Sequence, residues 1–276
     1  MKNFGLAALG FLAAACASSE GERRPAPTPK PKAAAMETAP VETLLRVAAT
    51  TRASGNLASA AVIYRRAHEL YPTHTIPLFE LGRTLNAAGA HHEAAEAFRA
   101  VLAMKPDDAD AMGELGRTLL DLGQPQFAYE TFEKLARLDP KSIAALNGMG
   151  VSLDRAGAHR AAQIHYREAL ALAPESRSVR NNLGLSMALA GEHDAAIALL
   201  KDVATDPGAS PRERQNLALV YGLAGNSEAA AKVGRIDLTE PAVQNNLAYY
   251  SYLQTLSGAA KANAALTGQP ESEPAP

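Results

Sequence analysis

Apolar and small residues recur between residues 48 and 225 with a constant step of 34 positions. A large apolar residue keeps this step at Tyr64, Phe98, Phe132, Tyr166 and Leu200. A small residue keeps it at Ala48, Gly82, Gly116, Gly150, Gly184 and Ala218. Two further series follow the same step, at Gly55, Gly89, Gly123, Gly157, Gly191 and Gly225 and at Pro72, Pro106, Pro140 and Pro174. Four series in one register indicate an internal repeat, in which neighbouring units share a continuous core.

Each series has a physical role in a unit of two antiparallel helices. We expect the glycine to end the first helix, where a left-handed residue is needed. The proline closes the second helix and turns the chain. The small residue, Gly116 for example, lets the second helix approach closely, and we expect it to face another small residue such as Ala128. The large residue, Phe98 for example, fills the gap between one unit and the next.

The pattern predicts six units, and the last two depart from it. The units span residues 41–74, 75–108, 109–142, 143–176, 177–210 and 211–240. In the fifth, Pro207 comes one residue early, and in the sixth, Gly234 replaces the large residue, which predicts a weak second helix. Pro241 then starts a further helix that reaches about Leu256. A repeat array needs a terminal element over its last apolar face, and we expect this helix to provide it with Tyr249, Tyr250, Tyr252 and Leu253.

The 34-residue pattern resembles the tetratricopeptide repeat (TPR). The resemblance covers most of the mature chain and implies an all-α superhelical solenoid of about six helix-turn-helix repeats with a C-terminal capping helix. It also implies that the first helices of the repeats line a concave groove that binds protein partners.

The N-terminus has the pattern of an export signal. Lys2 is followed by an apolar run from Phe4 to Ala15, which is too short to span a bilayer. The run ends in Leu-Ala-Ala-Ala-Cys, with Leu12 four residues before Cys16. This resembles a bacterial lipobox, which implies that Cys16 receives a lipid anchor, and Ala17 after it implies the outer membrane, facing the periplasm. The alternative is an ordinary signal peptide whose cleavage discards Cys16.

These patterns predict four segments. Residues 1–15 are the signal peptide, and residues 16–40 are the lipidated cysteine and a linker in which alternate prolines prevent helix formation. Residues 41–258 form the repeat domain. Residues 259–276 are expected to be a disordered tail, most clearly from Gly268 onwards.

Composition and motifs argue against an enzyme or a nucleic-acid-binding protein. The formal net charge of −2 over 276 residues gives no basic footprint. One cysteine permits no intramolecular disulfide. We find neither a phosphate-binding loop nor a nucleophile elbow, and expect no cofactor and no metal. His91, His159 and His193 fall at the interhelix turns, where the alternatives are a metal site and a solvated turn; the lack of metal-ligand spacing favours the solvated turn.

The polar residues that point to binding are amides in the first helices. They are Asn147, Asn181, Asn182, Gln215, Asn216, Asn245 and Asn246, and Asn182, Asn216 and Asn246 each begin a triplet of Asn, Leu and a small residue. The set resembles the asparagine ladder of some peptide-binding TPR proteins, and we call it the amide ladder. An amide has donors and acceptors, so a row of them can hold the main chain of an extended segment. The alternative is that these side chains bond to neighbouring repeats or to water.

Arginines mark the groove in the earlier repeats. Arg83 and Arg117 occupy the same repeat position, and Glu80 and Glu114 precede them by three residues. The alternatives are contact with an anionic peptide and an ion pair along the solvated helix face, and the glutamate spacing favours the ion pair.

The end of the chain suggests a narrower family. The segments RQNLALVYGLAG (214–225) and NNLAYY (245–250), with the lipobox and the degenerate sixth unit, resemble TadD-type lipoproteins of the tight-adherence (Flp) pilus system. The resemblance implies an outer-membrane scaffold or pilotin-like factor that helps assemble the pilus or its secretin channel. The alternatives are a general periplasmic adaptor that recruits cell-wall enzymes or outer-membrane biogenesis factors, and a regulatory subunit of an enzyme.

Overall fold

The computed structural model describes residues 39–268, which divide into two compact units that meet in sequence between Met104 and Lys105. The first unit contains helices α1 (Val41–Ala53), α2 (Leu57–Leu70), α3 (Thr75–Ala87) and α4 (His91–Met104). The second contains α5 (Ala109–Asp121), α6 (Pro125–Leu138), α7 (Ile143–Arg155), α8 (His159–Leu172), α9 (Arg177–Leu189), α10 (His193–Thr205), α11 (Pro211–Leu223), α12 (Ser227–Gly234), α13 (Glu240–Thr255) and α14 (Gly258–Thr267). Every regular element between residues 39 and 268 is a helix, as the repeat pattern predicts.

The helices pair as the 34-residue pattern predicts. Each of the six predicted repeats holds a first and a second helix that pack against each other. The glycine that follows each first helix has a φ between 68° and 85°, so the prediction of a left-handed residue there is confirmed. The signal peptide, Cys16 and the linker up to residue 38 lie outside the described residues.

In four repeats, the glycine of the first helix faces the large residue of the second helix. A Cβ added to Gly116 would lie 2.5 Å from the Phe132 ring, and one added to Gly150 would lie 2.5 Å from the Tyr166 ring. We expected Gly116 to face a small residue such as Ala128, and that expectation is corrected. Because glycine has no side chain, it leaves room for the Phe132 ring. A Cβ added to Gly148 of the next repeat would also lie 2.6 Å from the Phe132 ring, which confirms that this ring fills the gap between two successive repeats.

The sixth repeat is completed by the helix that follows it. α12 has 8 residues, whereas the other second helices have 13 or 14, which confirms the predicted weakness. Tyr250 of α13 packs on Gly222 of α11, where an added Cβ would lie 2.3 Å from the ring. Tyr250 and Leu253 are buried, whereas Tyr252 is exposed and does not cover the sixth repeat. α13 therefore packs a ring on α11 beside the short α12, at Gly222 and not at the repeat position of the small residue, Ala218.

The tail expected over residues 259–276 begins with a helix instead. Gly258–Thr267 form α14, and Ala262 and Ala264 in it are fully buried. The segment is rich in alanine, which has the highest helix propensity, and burial against other helices adds to that preference. Residues 269–276 lie outside the described residues.

The first helices of the second unit form a continuous row. α5 contacts α7, α7 contacts α9, α9 contacts α11 and α11 contacts α13. We call the face of this row the inner face. Within residues 39–268, no helix combines the length and the hydropathy of a segment that crosses a bilayer.

The contact between Gly116 and Phe132 generates a stability prediction. Gly116→Ala should lower the free energy of unfolding by about 1–3 kcal/mol, because the new Cβ forces the buried Phe132 ring to move. Gly113→Ala in the same helix is the matched control, since its added Cβ meets nothing closer than 3.9 Å. Urea unfolding followed by circular dichroism measures both. Equal stability of the two variants would contradict the ring contact.

Candidate functional site

The inner face of the second unit carries most of the candidate binding residues. α7 contributes Asn147, and α9 and α11 each contribute two adjacent amides, namely Asn181, Asn182, Gln215 and Asn216. Because these helices contact one another in sequence, their amides come within bonding distance across the row.

Two hydrogen bonds join the amides of successive repeats. The Asn182 Nδ2 donates to Asn147 Oδ1 over 2.9 Å, and the Asn216 Nδ2 donates to Asn181 Oδ1 over 3.0 Å. Each bond therefore joins the second amide position of one repeat to the first position of the repeat before it. Asn181 is buried, whereas Asn147, Asn182 and Asn216 are half-buried.

These bonds leave binding capacity in the ladder. A primary amide has two N–H donors and an oxygen with two acceptor sites. In the bond from Asn182 to Asn147, each side chain uses one of these functions. The same amides can thus hold adjacent repeats in register and still pair with the main chain of a partner. Peptide binding by the ladder remains a prediction.

The ladder changes after α11 because the sixth repeat is short. Gln215 Nε2 lies 3.5 Å from Asp237 Oδ2, in the turn after α12. Arg214 donates two hydrogen bonds to the same carboxylate, from Nε at 2.8 Å and from Nη2 at 2.5 Å. These hydrogen bonds lower the pKa of Asp237. In α13, Asn246 is half-buried and Asn245 is exposed.

The groove arginines pair within their own helices. Arg83 Nη1 lies 3.3 Å from Glu80 Oε1 in α3, and Glu80 also pairs with Arg52 of α1. In the second unit, Arg117 Nη2 lies 2.9 Å from Glu114 Oε1 in α5. Both arginines are exposed, so each is part of an ion pair on a solvated helix face, as the glutamate spacing indicates.

A buried polar cluster that the sequence analysis missed lies between α7, α8 and α9. The Asp154 carboxylate is 1% exposed. Its Oδ1 accepts from the His159 Nδ1 at 2.9 Å and from the Ser186 hydroxyl at 2.7 Å, and its Oδ2 accepts from the Tyr166 hydroxyl at 2.9 Å. Burial, with the Asp154 charge, raises the pKa of Tyr166, so its hydroxyl stays protonated as the donor. Three donors from two repeats therefore satisfy one buried carboxylate.

His159 corrects our interpretation of the turn histidines as solvated. Its side chain is 11% exposed and bonds Asp154, five residues earlier. His91 bonds Asn86 at the equivalent spacing in the first unit, with 3.2 Å between Nδ1 and Oδ1. In the sequence, the signal that a turn histidine is bonded and not solvated was therefore a hydrogen-bonding side chain five residues before it. Among residues 39–268, no group of histidine, cysteine and carboxylate side chains has the arrangement of a metal site.

Comparisons with known proteins agree with this architecture. Two tetratricopeptide-repeat family models match residues 85–150 and 147–211. No protein of curated function matches the sequence. Many solved structures share the fold, and the three described next are 16–20% identical in sequence, so their likeness is one of fold alone.

The first of these structures is a tetratricopeptide-repeat protein of Parabacteroides merdae, with a TM-score of 0.66 at 16% identity over 76% of this chain and 84% of that one. PilW, a type IV pilus biogenesis factor, gives a TM-score of 0.62 at 20% identity over 78% and 97%. Pseudomonas aeruginosa PilF gives 0.60 at 17% identity over 77% and 97%.

The Asp154 cluster generates a prediction about stability. Asp154→Ala should lower the free energy of unfolding by about 2–4 kcal/mol, because the His159 and Tyr166 donors lose their acceptor and the Ser186 hydroxyl keeps only the His159 carbonyl. Glu130→Ala, which removes an exposed carboxylate from α6, is the control and should change it by less than about 0.5 kcal/mol. Chemical denaturation of both variants checks this. A loss at Asp154 no larger than that at Glu130 would show that the cluster does not stabilise the fold.

Proposed function

Because the chain contains tetratricopeptide repeats, we propose that it is a non-catalytic interaction scaffold that helps assemble a Flp-type pilus or its secretin channel. The observation that carries the proposal is the row of first helices in the second unit, whose amides have hydrogen-bonding capacity beyond the bonds between repeats. The likeness in fold to PilW supports the choice of a pilus system. The resemblance of residues 214–225 and 245–250 to TadD-type lipoproteins supports the Flp type.

The proposal includes a lipid anchor at the outer membrane. It rests on the lipobox-like sequence before Cys16 and on Ala17 after it. Several acyl chains on one cysteine anchor a protein firmly, since each buried methylene contributes about 0.8 kcal/mol. A proline-rich linker extends about 3.1 Å per residue, so residues 17–40 would let the repeats work up to ~70 Å from the bilayer.

In this role the scaffold acts by binding and positioning. The helices of the second unit hold the amides in a fixed register, so a partner segment meets donors and acceptors already in place. Preorganisation of this kind lowers the entropy cost of binding. The anchor would keep the bound partner beside the membrane into which the channel inserts.

Affinity capture tests the partner class. Full-length protein captured from mildly solubilised envelopes should recover a secretin or Flp pilus components. Substitution of Asn182, Asn216 and Asn246 by alanine should weaken this recovery by about tenfold or more, equivalent to about 1.4 kcal/mol, while helicity stays unchanged. Gln126→Ala, which removes an exposed amide from the second helix α6, is the matched control and should capture normally.

The identity of the captured proteins decides between the alternatives. Cell-wall enzymes or outer-membrane biogenesis factors without any pilus component would identify a general periplasmic adaptor. Full recovery by the triple alanine variant would remove the amide ladder from the binding surface.

Metabolic labelling tests the anchor. A radiolabelled fatty acid should appear on the wild-type protein and not on the Cys16→Ala variant, and the variant should leave the membrane fraction. Ala17→Asp should keep the label but move the protein to the inner membrane, as the lipoprotein resemblance implies. A wild-type protein without label would show that Cys16 is removed with the signal peptide.

A further inference from the structure

The C-terminal helix α14 lies along the inner face. From α13 the chain returns far enough for α14 to contact α7, although α9 and α11 stand between those two helices in the row. Ala264 belongs to the same buried cluster as Leu185 of α9 and Leu217 of α11. All residues from Ala260 to Leu266 are buried or half-buried. The chain's own terminal helix thus packs on the row of helices to which we assign partner binding.

The contacts of α14 define what this surface accepts. Five of its ten residues are alanine, and Ala262 and Ala264 are fully buried. The Tyr249 hydroxyl of α13 donates to the Ala264 carbonyl at 2.8 Å. Burial raises the pKa of Tyr249 to about 12, so this hydroxyl remains a donor at neutral pH. The same carbonyl accepts from the Gly268 N–H over 2.9 Å, so Tyr249 uses its second acceptor site.

The attachment of α14 is suited to release. The chain is extended at Leu256 and Ser257, which separates α14 from α13. An isolated helix of ten residues is shorter than the roughly 12–15 residues that make a stable helix in water, so α14 depends on its docking. α13 has its own anchors, since Tyr250 and Leu253 belong to the buried cluster. α14 can therefore leave the inner face without opening the sixth repeat.

We propose that α14 is an internal ligand of the inner face, displaced by a short alanine-rich helix of the partner protein. This inference rests on the proposed function and names a helix, in place of the extended segment expected from the amide ladder, as the class of ligand that the scaffold binds. A tethered ligand has an effective concentration in the millimolar range. A partner must therefore match the small-residue packing of α14 and add contacts of its own. While α14 is docked, the scaffold does not bind weak ligands.

A peptide with the sequence of residues 256–268 tests this proposal on the full-length chain. Ala264→Lys places a charge at a fully buried position of α14 and should release the helix. The labelled peptide should then bind the variant at least about tenfold more tightly than the wild type, whose surface is already occupied. Thr267→Lys, at an exposed position of the same helix, is the matched control and should bind the peptide as weakly as the wild type.

Hydrogen exchange of the same proteins provides the second measurement. The amides of α14 should be protected in the wild type and in Thr267→Lys, and should exchange rapidly in Ala264→Lys while α13 stays protected. Rapid exchange of α14 in the wild type, or equal peptide binding by Ala264→Lys and Thr267→Lys, would overturn the proposal. Capture of pilus components would then still support the scaffold function. Binding of the peptide without capture of any pilus component would instead retain the ligand class and refute the pilus role.

Discussion

The contact between a large side chain on one helix and a small residue on the helix before it is the constraint on which the rest of the structure depends. Glycine at the position of Gly116 leaves room for the ring of Phe132, which also reaches Gly148 of the next repeat. The same contact recurs with a tyrosine or a leucine as the large partner. α12 has no such side chain, and Tyr250 of α13 instead packs on Gly222 of α11, four residues after Ala218. Close helix packing is thus preserved to the end of the array.

This close packing brings polar groups of successive first helices within hydrogen-bonding distance. The bonds from Asn182 to Asn147 and from Asn216 to Asn181 exist because the first helices contact one another along the row. Buried polar groups in such a row need partners, and Asp154 obtains three of them from its own and the next repeat. The same geometry thus stabilises the array and presents ordered donors and acceptors on one face.

The 34-residue step predicts the helices, their glycine turns and the weak sixth repeat, because each depends on residue types at fixed positions of one repeat. It does not identify which side chains meet. We expected Gly116 to face Ala128, whereas it faces Phe132, because periodicity marks a constrained position without naming its neighbour. The amide bonds join residues 35 positions apart, one more than the repeat, so an alignment in register does not reveal them. α14 was missed because its alanines carry no periodic apolar pattern, and its burial comes from tertiary packing.

Site-specific photo-crosslinking in living cells tests most directly whether the inner face of the second unit is a protein-binding surface. A photoreactive residue would replace either Asn216 on the inner face or Ile164, which is 55% exposed on the second helix α8. The account predicts adducts with a secretin or another pilus assembly protein from position 216, and none of these adducts from position 164. Adducts with that partner from position 164 alone would contradict it, because they would place the binding surface on the second helices.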